Sequence, residues 1–280
     1  MEFLKAHGTG NDFVVLPDLA GELELGAGLV AALCDRRFGI GADGVLRVVR
    51  TDACAESVPD SEGCTYFMDY RNADGSVAQM CGNGARVFAQ YLWDAGWAPA
   101  GAVRFATRGG ARLATLRNDG QVRVEMGLAQ IGPTAMVNVP AAGRDWPATA
   151  VHVPNPHAVV FVSQLAEAGS LLAAPIVTPA EAFSEGANVE FVVVRAAGQL
   201  AMRVHERGVG ETLSCGTGAC AAAVAYLAGG TSDSAAVVQV DVPGGTLSVE
   251  VHSDLTVSLT GPVVTVAAGR IAADWLEARR

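Results

Sequence analysis

Two short stretches, Cys81-Gly82-Asn83-Gly84-Ala85 and Cys215-Gly216-Thr217-Gly218-Ala219, stand 134 residues apart, and each opens a run of helical composition. Their surroundings correspond as well. At the same offset Met68 falls on Met202 and Asn72 on Glu206. At an offset of 144, Asn11 falls on Asn155, Val15 on Val159, and the strand-like 45–50 on 189–194. The polar loop 51–63, which contains Pro59, absorbs the difference between the offsets. The pattern predicts an internal duplication, a mixed α/β (α+β) chain of two similar halves. Halves related by a pseudo-two-fold axis would bring their Cys-Gly turns together across an interdomain cleft, a usual place for a ligand.

Residue patterning fills in the halves. β-branched and apolar runs at 12–16, 45–50, 66–70 and 103–107, with a hairpin 112–116/122–126, predict strands in the first. The second repeats them at 158–162, 189–195, 199–205, 237–242 and the alternating 247–259. Helical periodicity marks 26–37, and Gly-Gly turns at 109–110 and 244–245 correspond.

Composition then removes function classes. The net charge of −10 argues against nucleic acid, which needs a basic face. Half of the residues are hydrophobic, yet no apolar run approaches the roughly 18 residues of a membrane span. The start, MEFLKAHGTGNDF, lacks a basic segment followed by an apolar one, so a cytoplasmic protein is expected. The six cysteines include no C-x-x-C pair, which leaves no metal or redox motif of that kind. Lys5 is the one lysine, so a P-loop is impossible and a pyridoxal phosphate Schiff base has no good candidate. Gly39-Ile40-Gly41-Ala42-Asp43-Gly44 matches GxGxxG, but a helix precedes it and a strand follows, the reverse of a dinucleotide site.

Cys81 and Cys215 would each stand at a helix N-terminus. Unpaired N–H groups there carry partial positive charge, favour a thiolate and can grip a carboxylate. The glycines at 82, 84, 216 and 218 let a ligand approach the backbone. A carbon held between two such thiols can lose a proton from one face and gain one on the other, which inverts an α-carbon. Cys34, Cys54, Cys64 and Cys220 read as packing residues. A redox or metal role for Cys215 and Cys220 has poor ligand spacing, and a non-catalytic binding protein would not need two matched cysteines.

On these residues the chain resembles the diaminopimelate epimerase family along nearly its whole length. The motifs are His7-Gly-x-Gly-Asn11-Asp-Phe13, GIGADGVL from Gly39, RNADGSVAQMCGNGAR from Arg71, Asn155-Pro-His157, Asn188-Val-Glu-Phe191 and ERGVGETLSCGTGA from Glu206. The resemblance implies two domains, 1–127 with 267–280 and 128–266, each a curved, mostly antiparallel sheet around a central helix. It implies a homodimer and an isomerase without cofactor or metal. That enzyme interconverts LL- and meso-2,6-diaminoheptanedioate for lysine and peptidoglycan synthesis, Cys81 and Cys215 serving as base and acid. Backbone at Gly82-Asn83 and Gly216-Thr217 would hold the reacting carboxylate, and Asn11, Asn72, Asn155, Asn188 and Arg207 the rest of the substrate.

The residue chemistry agrees. Arg207 can fork onto a carboxylate, and amides supply donors and acceptors without charge. Glu206 can accept from an ammonium and tune a thiol; His157 can do the latter; His7 reads as structural. A proline or hydroxyproline racemase on the same scaffold would leave Arg207 and four asparagines without purpose. Two departures stand out: Gly44 where many members carry Gln, so that a contact there is lost or passes to water, and Pro154 where Gly is common.

Overall fold

The computed structural model describes residues 1–280 except 57, 141, 185, 230–234 and 280, so Arg280, the end of the expected first domain, lies outside the described residues. The elements are β1 (Glu2–Gly8), β2 (Asn11–Pro17), α1 (Ala27–Cys34), β3 (Gly44–Arg50), β4 (Tyr66–Asn72), α2 (Gly82–Asp94), β5 (Ala102–Phe105), β6 (Arg112–Leu116) and β7 (Val122–Leu128). They continue with β8 (Gln130–Val139), β9 (Arg144–His152), β10 (Pro156–Phe161), β11 (Ile176–Thr178), β12 (Asn188–Ala196), β13 (Gln199–Glu206), β14 (Gly210–Thr212) and α3 (Gly216–Ala228). Last come β15 (Ala236–Val242), β16 (Gly245–Val251), β17 (Thr256–Gly261), β18 (Val264–Arg270) and α4 (Ala273–Glu277). Two compact units result, Met1–Val124 with Pro262–Arg280, and Glu125–Gly261.

In the first unit a sheet runs β18-β1-β2-β3-β4. Only β2 and β3 pair in parallel. Thr9 and Gly10 both have positive φ, 50° and 83°, as the tight hairpin turn joining β1 to β2 requires. β2 is buried on both faces. Val14 and Leu16 pack with Leu29, Val30 and Leu33 of α1 and Leu276 of α4. Phe13 faces the other way, toward Gly84 of α2. That helix packs against β1, β2, β3, β4 and β6.

The second unit orders its strands β11-β8-β9-β10-β12-β13-β15-β16-β17. Parallel pairs occur at β10–β12 and β13–β15. Residues 216–225 of α3 are all buried, and the helix packs against β9, β10, β12, β13, β15, β16 and β17. A helix wrapped on every side must be apolar all round and slender. The sequence GTGACAAAVA supplies that.

Strand register repeats the duplication. Phe13 pairs with Gly44 and His157 with Asn188, each 144 residues on. Val45 pairs with Arg71 and Val189 with His205, the positions given by the two offsets. Six strands were not anticipated, two of them the three-residue β11 and β14. β1 mixes Lys5 and His7 among its apolar residues. β8 and β9 contain Pro133 and Pro147, which speak against a strand. Pro133 is accommodated at the irregularity where register shifts between Ile131 and Thr134. β18 is an exposed edge strand. The alternating run 247–259 is two strands, broken at Leu255 with φ 65°. The helix expected over 26–37 stops at Cys34, because the Asp35 carboxylate accepts from the Arg37 and Phe38 amides at 2.7 and 2.6 Å.

Enclosure of α3 leaves no room for larger side chains. Ala222→Leu should therefore cost about 1–3 kcal/mol, whereas Ala228→Leu at the exposed end should stay within about 0.5 kcal/mol. Urea denaturation midpoints of the two variants check this.

Candidate active site

Cys81 and Cys215 occupy one structural role in their separate units. Each is the N-cap of its helix, in extended conformation (φ −140° and −118°). Each sulfur accepts a hydrogen bond from the amide three residues on, Gly84 N or Gly218 N, both at 3.3 Å. The backbone of Gly82-Asn83 and Gly216-Thr217 forms the first turn beyond each thiol.

Around Cys81, Asn11 begins β2. Its Oδ1 accepts from Asn83 Nδ2 at 3.2 Å and lies 3.6 Å from the Cys81 sulfur. Its Nδ2 donates to Asp43 at 2.9 Å, and Arg36 donates to the other oxygen of Asp43 at 2.7 Å. Asn83 Oδ1 accepts from the buried Arg86 at 2.9 Å. Asn72 ends β4, accepts from the Tyr70 hydroxyl at 2.8 Å and donates to Ser76 Oγ at 3.0 Å.

A Cβ at Gly44 would stand 2.6 Å from the Arg71 carbonyl oxygen and 2.8 Å from the Tyr70 ring. The Tyr70 ring borders Gly44, and its hydroxyl donates to Asn72. Sequence reading missed it, because the hydroxyl's partner lies two residues along the same strand.

Around Cys215, the Asn188 carbonyl accepts from the Arg207 amide at 2.9 Å, and its Nδ2 lies 3.9 Å from the sulfur. Thr217 Oγ1 is 3.4 Å from the same sulfur. Glu206, at the end of β13, accepts from Thr212 at 2.5 Å and is hydrogen-bonded to Cys215. Arg207 is exposed and lines a depression with Gly186, Phe183 and Gly208. His157 is fully buried, with Nδ1 2.7 Å from Glu190 Oε1 and Nε2 3.0 Å from Asn155 Oδ1. Glu190, also fully buried, is a second residue that sequence reading missed: within NVEFVVV it reads as one polar position of a strand.

The electrostatics differ from the thiolate expected at position 215. Burial, followed by the Glu206 charge, pushes the Cys215 thiol well above its ordinary value, and the Thr217 and Gly218 hydrogen bonds do not offset this. Burial likewise raises Glu206, against the hydrogen bonds from Thr212 and Cys215. Burial and the neighbouring carboxyl thus both disfavour the thiolate form of Cys215. Of the other cysteines, Cys34 is buried and pushed up to about 12, first by desolvation. Cys220 is buried inside α3. His7 lies on β1, where Nδ1 accepts from the Gly10 amide of the turn.

Comparison with known proteins follows the same lines. A family model described as diaminopimelate epimerase matches residues 3–132 and 149–266. The diaminopimelate epimerase of Streptomyces coelicolor is 51% identical over 280 residues, covering 98% of this chain and 96% of that protein. That of Thermobifida fusca is 50% identical over 279 residues, covering 97% and 98%. Among solved structures, a hydroxyproline epimerase from Agrobacterium vitis with bound trans-4-OH-L-proline superposes with a TM-score of 0.70 at 14% identity, covering 98% and 93%. That likeness is one of fold.

Removing the Glu206 charge should ease ionisation of Cys215. Glu206→Gln is expected to move the pH dependence of Cys215 alkylation, followed by mass spectrometry of the labelled peptide, to lower pH. An unmoved or raised midpoint would show that burial alone sets it.

Proposed function

The chain belongs to the diaminopimelate epimerase family, and we propose that it inverts one α-carbon of LL-2,6-diaminoheptanedioate to give the meso isomer by a two-base reaction of Cys81 and Cys215. One thiolate removes the α-proton and the other thiol delivers a proton to the opposite face; the roles exchange in reverse. The observation that carries this reading is the matched placement of the two cysteines as N-caps of equivalent helices, each sulfur hydrogen-bonded by the amide three residues on.

An α-proton next to a carboxylate is weakly acidic, so the carbanion needs stabilisation. In this reading the amides of Gly82-Asn83 and Gly216-Thr217 supply it by gripping the carboxylate as charge develops. No cofactor takes part. Arg207 binds the distal carboxylate through its fork, and Asn11, Asn72, Asn155 and Asn188 fix the remaining polar groups. Glu206 serves twice, accepting from an ammonium and keeping Cys215 protonated until the substrate binds. His157 tunes the same thiol. The domain reading keeps 1–127 with 267–280 as one half of the enzyme and 128–266 as the other. The product feeds lysine and peptidoglycan precursor synthesis in the cytoplasm, and the working form is a homodimer. Among the described residues no helix is long and apolar enough to cross a membrane.

Inversion needs an acid and a base together. Cys81→Ala and Cys215→Ala should each lower kcat by at least about 10³-fold, beyond the usual 10²–10⁴ range's lower end for one acid–base group, with circular dichroism unchanged. Cys34→Ala should keep turning over. Chiral chromatography of the product measures this, and substantial turnover by either alanine variant at the two N-caps would contradict the proposal.

A further inference from the structure

The duplication makes the two thiol sites equivalent in backbone but not in what lies behind them. The positions of His157 and Glu190 correspond, at the offset of 144, to Phe13 and Leu46. A Cβ on Gly84 would meet the Leu46 and Phe13 side chains at 3.3 and 3.5 Å. A Cβ on Gly218 would meet Glu190 Oε1 at 2.7 Å. The floor of the Cys81 site is therefore apolar, and that of the Cys215 site is a fully buried acid and imidazole.

The hydrogen bonds of this pair run in one direction. Asn155 Oδ1 has no proton to give, so His157 Nε2 donates to it across 3.0 Å. The contact of 2.7 Å between Nδ1 and Glu190 Oε1 needs one further proton. Glu190 Oε2 is buried and has no hydrogen-bond partner among the described residues. An ionised carboxylate would leave that oxygen at high cost, and a carboxylic acid leaves it at much less. One proton joins Glu190 Oε1 to Nδ1, and Nε2 keeps its own proton for Asn155. The side-chain oxygen of Asn155 is then taken by His157, and its NH2 group is directed away from the imidazole.

Asn11, the counterpart of Asn155, is fixed otherwise. Its NH2 group is held by Asp43 and its carbonyl by Asn83. The two halves thus hold equivalent amides by different devices and in different senses.

We propose that Glu190 is a positioning residue: through His157 it fixes the Asn155 amide so that the NH2 group meets an anionic group of the substrate in the Cys215 half of the site. The proposal rests on the epimerase reading for the identity of that anion, a carboxylate. Glu190 does not itself touch the substrate.

The test uses the full-length enzyme with three readouts. Glu190→Leu copies the apolar residue of the other half and should raise KM for LL-2,6-diaminoheptanedioate about tenfold, the scale of one hydrogen bond to a charged group, while kcat falls less. Glu190→Gln can donate to Nδ1 and should restore most of that loss. Nitrogen-15 NMR of the histidines without substrate, with His157 assigned by its absence in His157→Gln, should show Nε2 protonated in the native protein and in Glu190→Gln. A bare Nε2 in the native protein would overturn the proposal, since the Asn155 amide would then point the other way. So would a Glu190→Gln variant as impaired in KM as Glu190→Leu. If the native enzyme failed to epimerise the substrate at all, the reading of function would fall, while the NMR result would still decide the orientation of His157 and Asn155.

Discussion

Everything in the two half-sites depends on a backbone amide pointing at sulfur. Gly84 N and Gly218 N each lie 3.3 Å from a cysteine sulfur, and that contact makes each cysteine a helix cap instead of a packed side chain. Capping satisfies one of the amides that a helix start leaves unpaired. The requirement reaches into the sequence: at 218 any Cβ would strike Glu190, and at 84 it would crowd Leu46 and Phe13. The glycines therefore serve packing as much as access.

A helix start shared by two halves does not oblige them to act alike. Cys215 is enclosed and hydrogen-bonded to Glu206, and burial followed by the Glu206 charge pushes its thiol up. Cys81 sits half-buried, over Phe13 and Leu46 and beside the Asn11 carbonyl. A duplicated scaffold supplies the matched geometry that inversion requires. Substitutions behind the helices then give each thiol its own environment.

Much of this was legible in the chain. The paired Cys-Gly turns, the two offsets and the asparagine positions named the half-sites, and strand register follows the same offsets because pairing partners were copied with the fold. What escaped had physical causes. β1 carries charge among its apolar residues, and β8 and β9 hide behind prolines that fit at a register shift or within an otherwise regular hairpin. Glu190 is one polar position in an apolar strand, and only the fold shows that β12 is covered on both faces, by the sheet's outer cluster and by α3. Tyr70 could not be linked to Gly44 without the cross-strand neighbourhood that puts its ring over that glycine. At 215 the helix-end effect, about 0.3–2 kcal/mol, is opposed by burial and by the Glu206 charge, two causes that lie in the fold and not in the local motif.

The account stands or falls on two thiols acting on opposite faces of one carbon. Turnover of LL-2,6-diaminoheptanedioate in D2O, sampled at low conversion by mass spectrometry, tests this directly. The delivering thiol exchanges with solvent between turnovers. Early meso product should therefore carry deuterium at the inverted carbon, while unreacted substrate stays largely protiated. Early product that retains mainly protium would mean that a single group carries the proton from face to face, and would contradict the assignment of Cys81 and Cys215 as opposed base and acid.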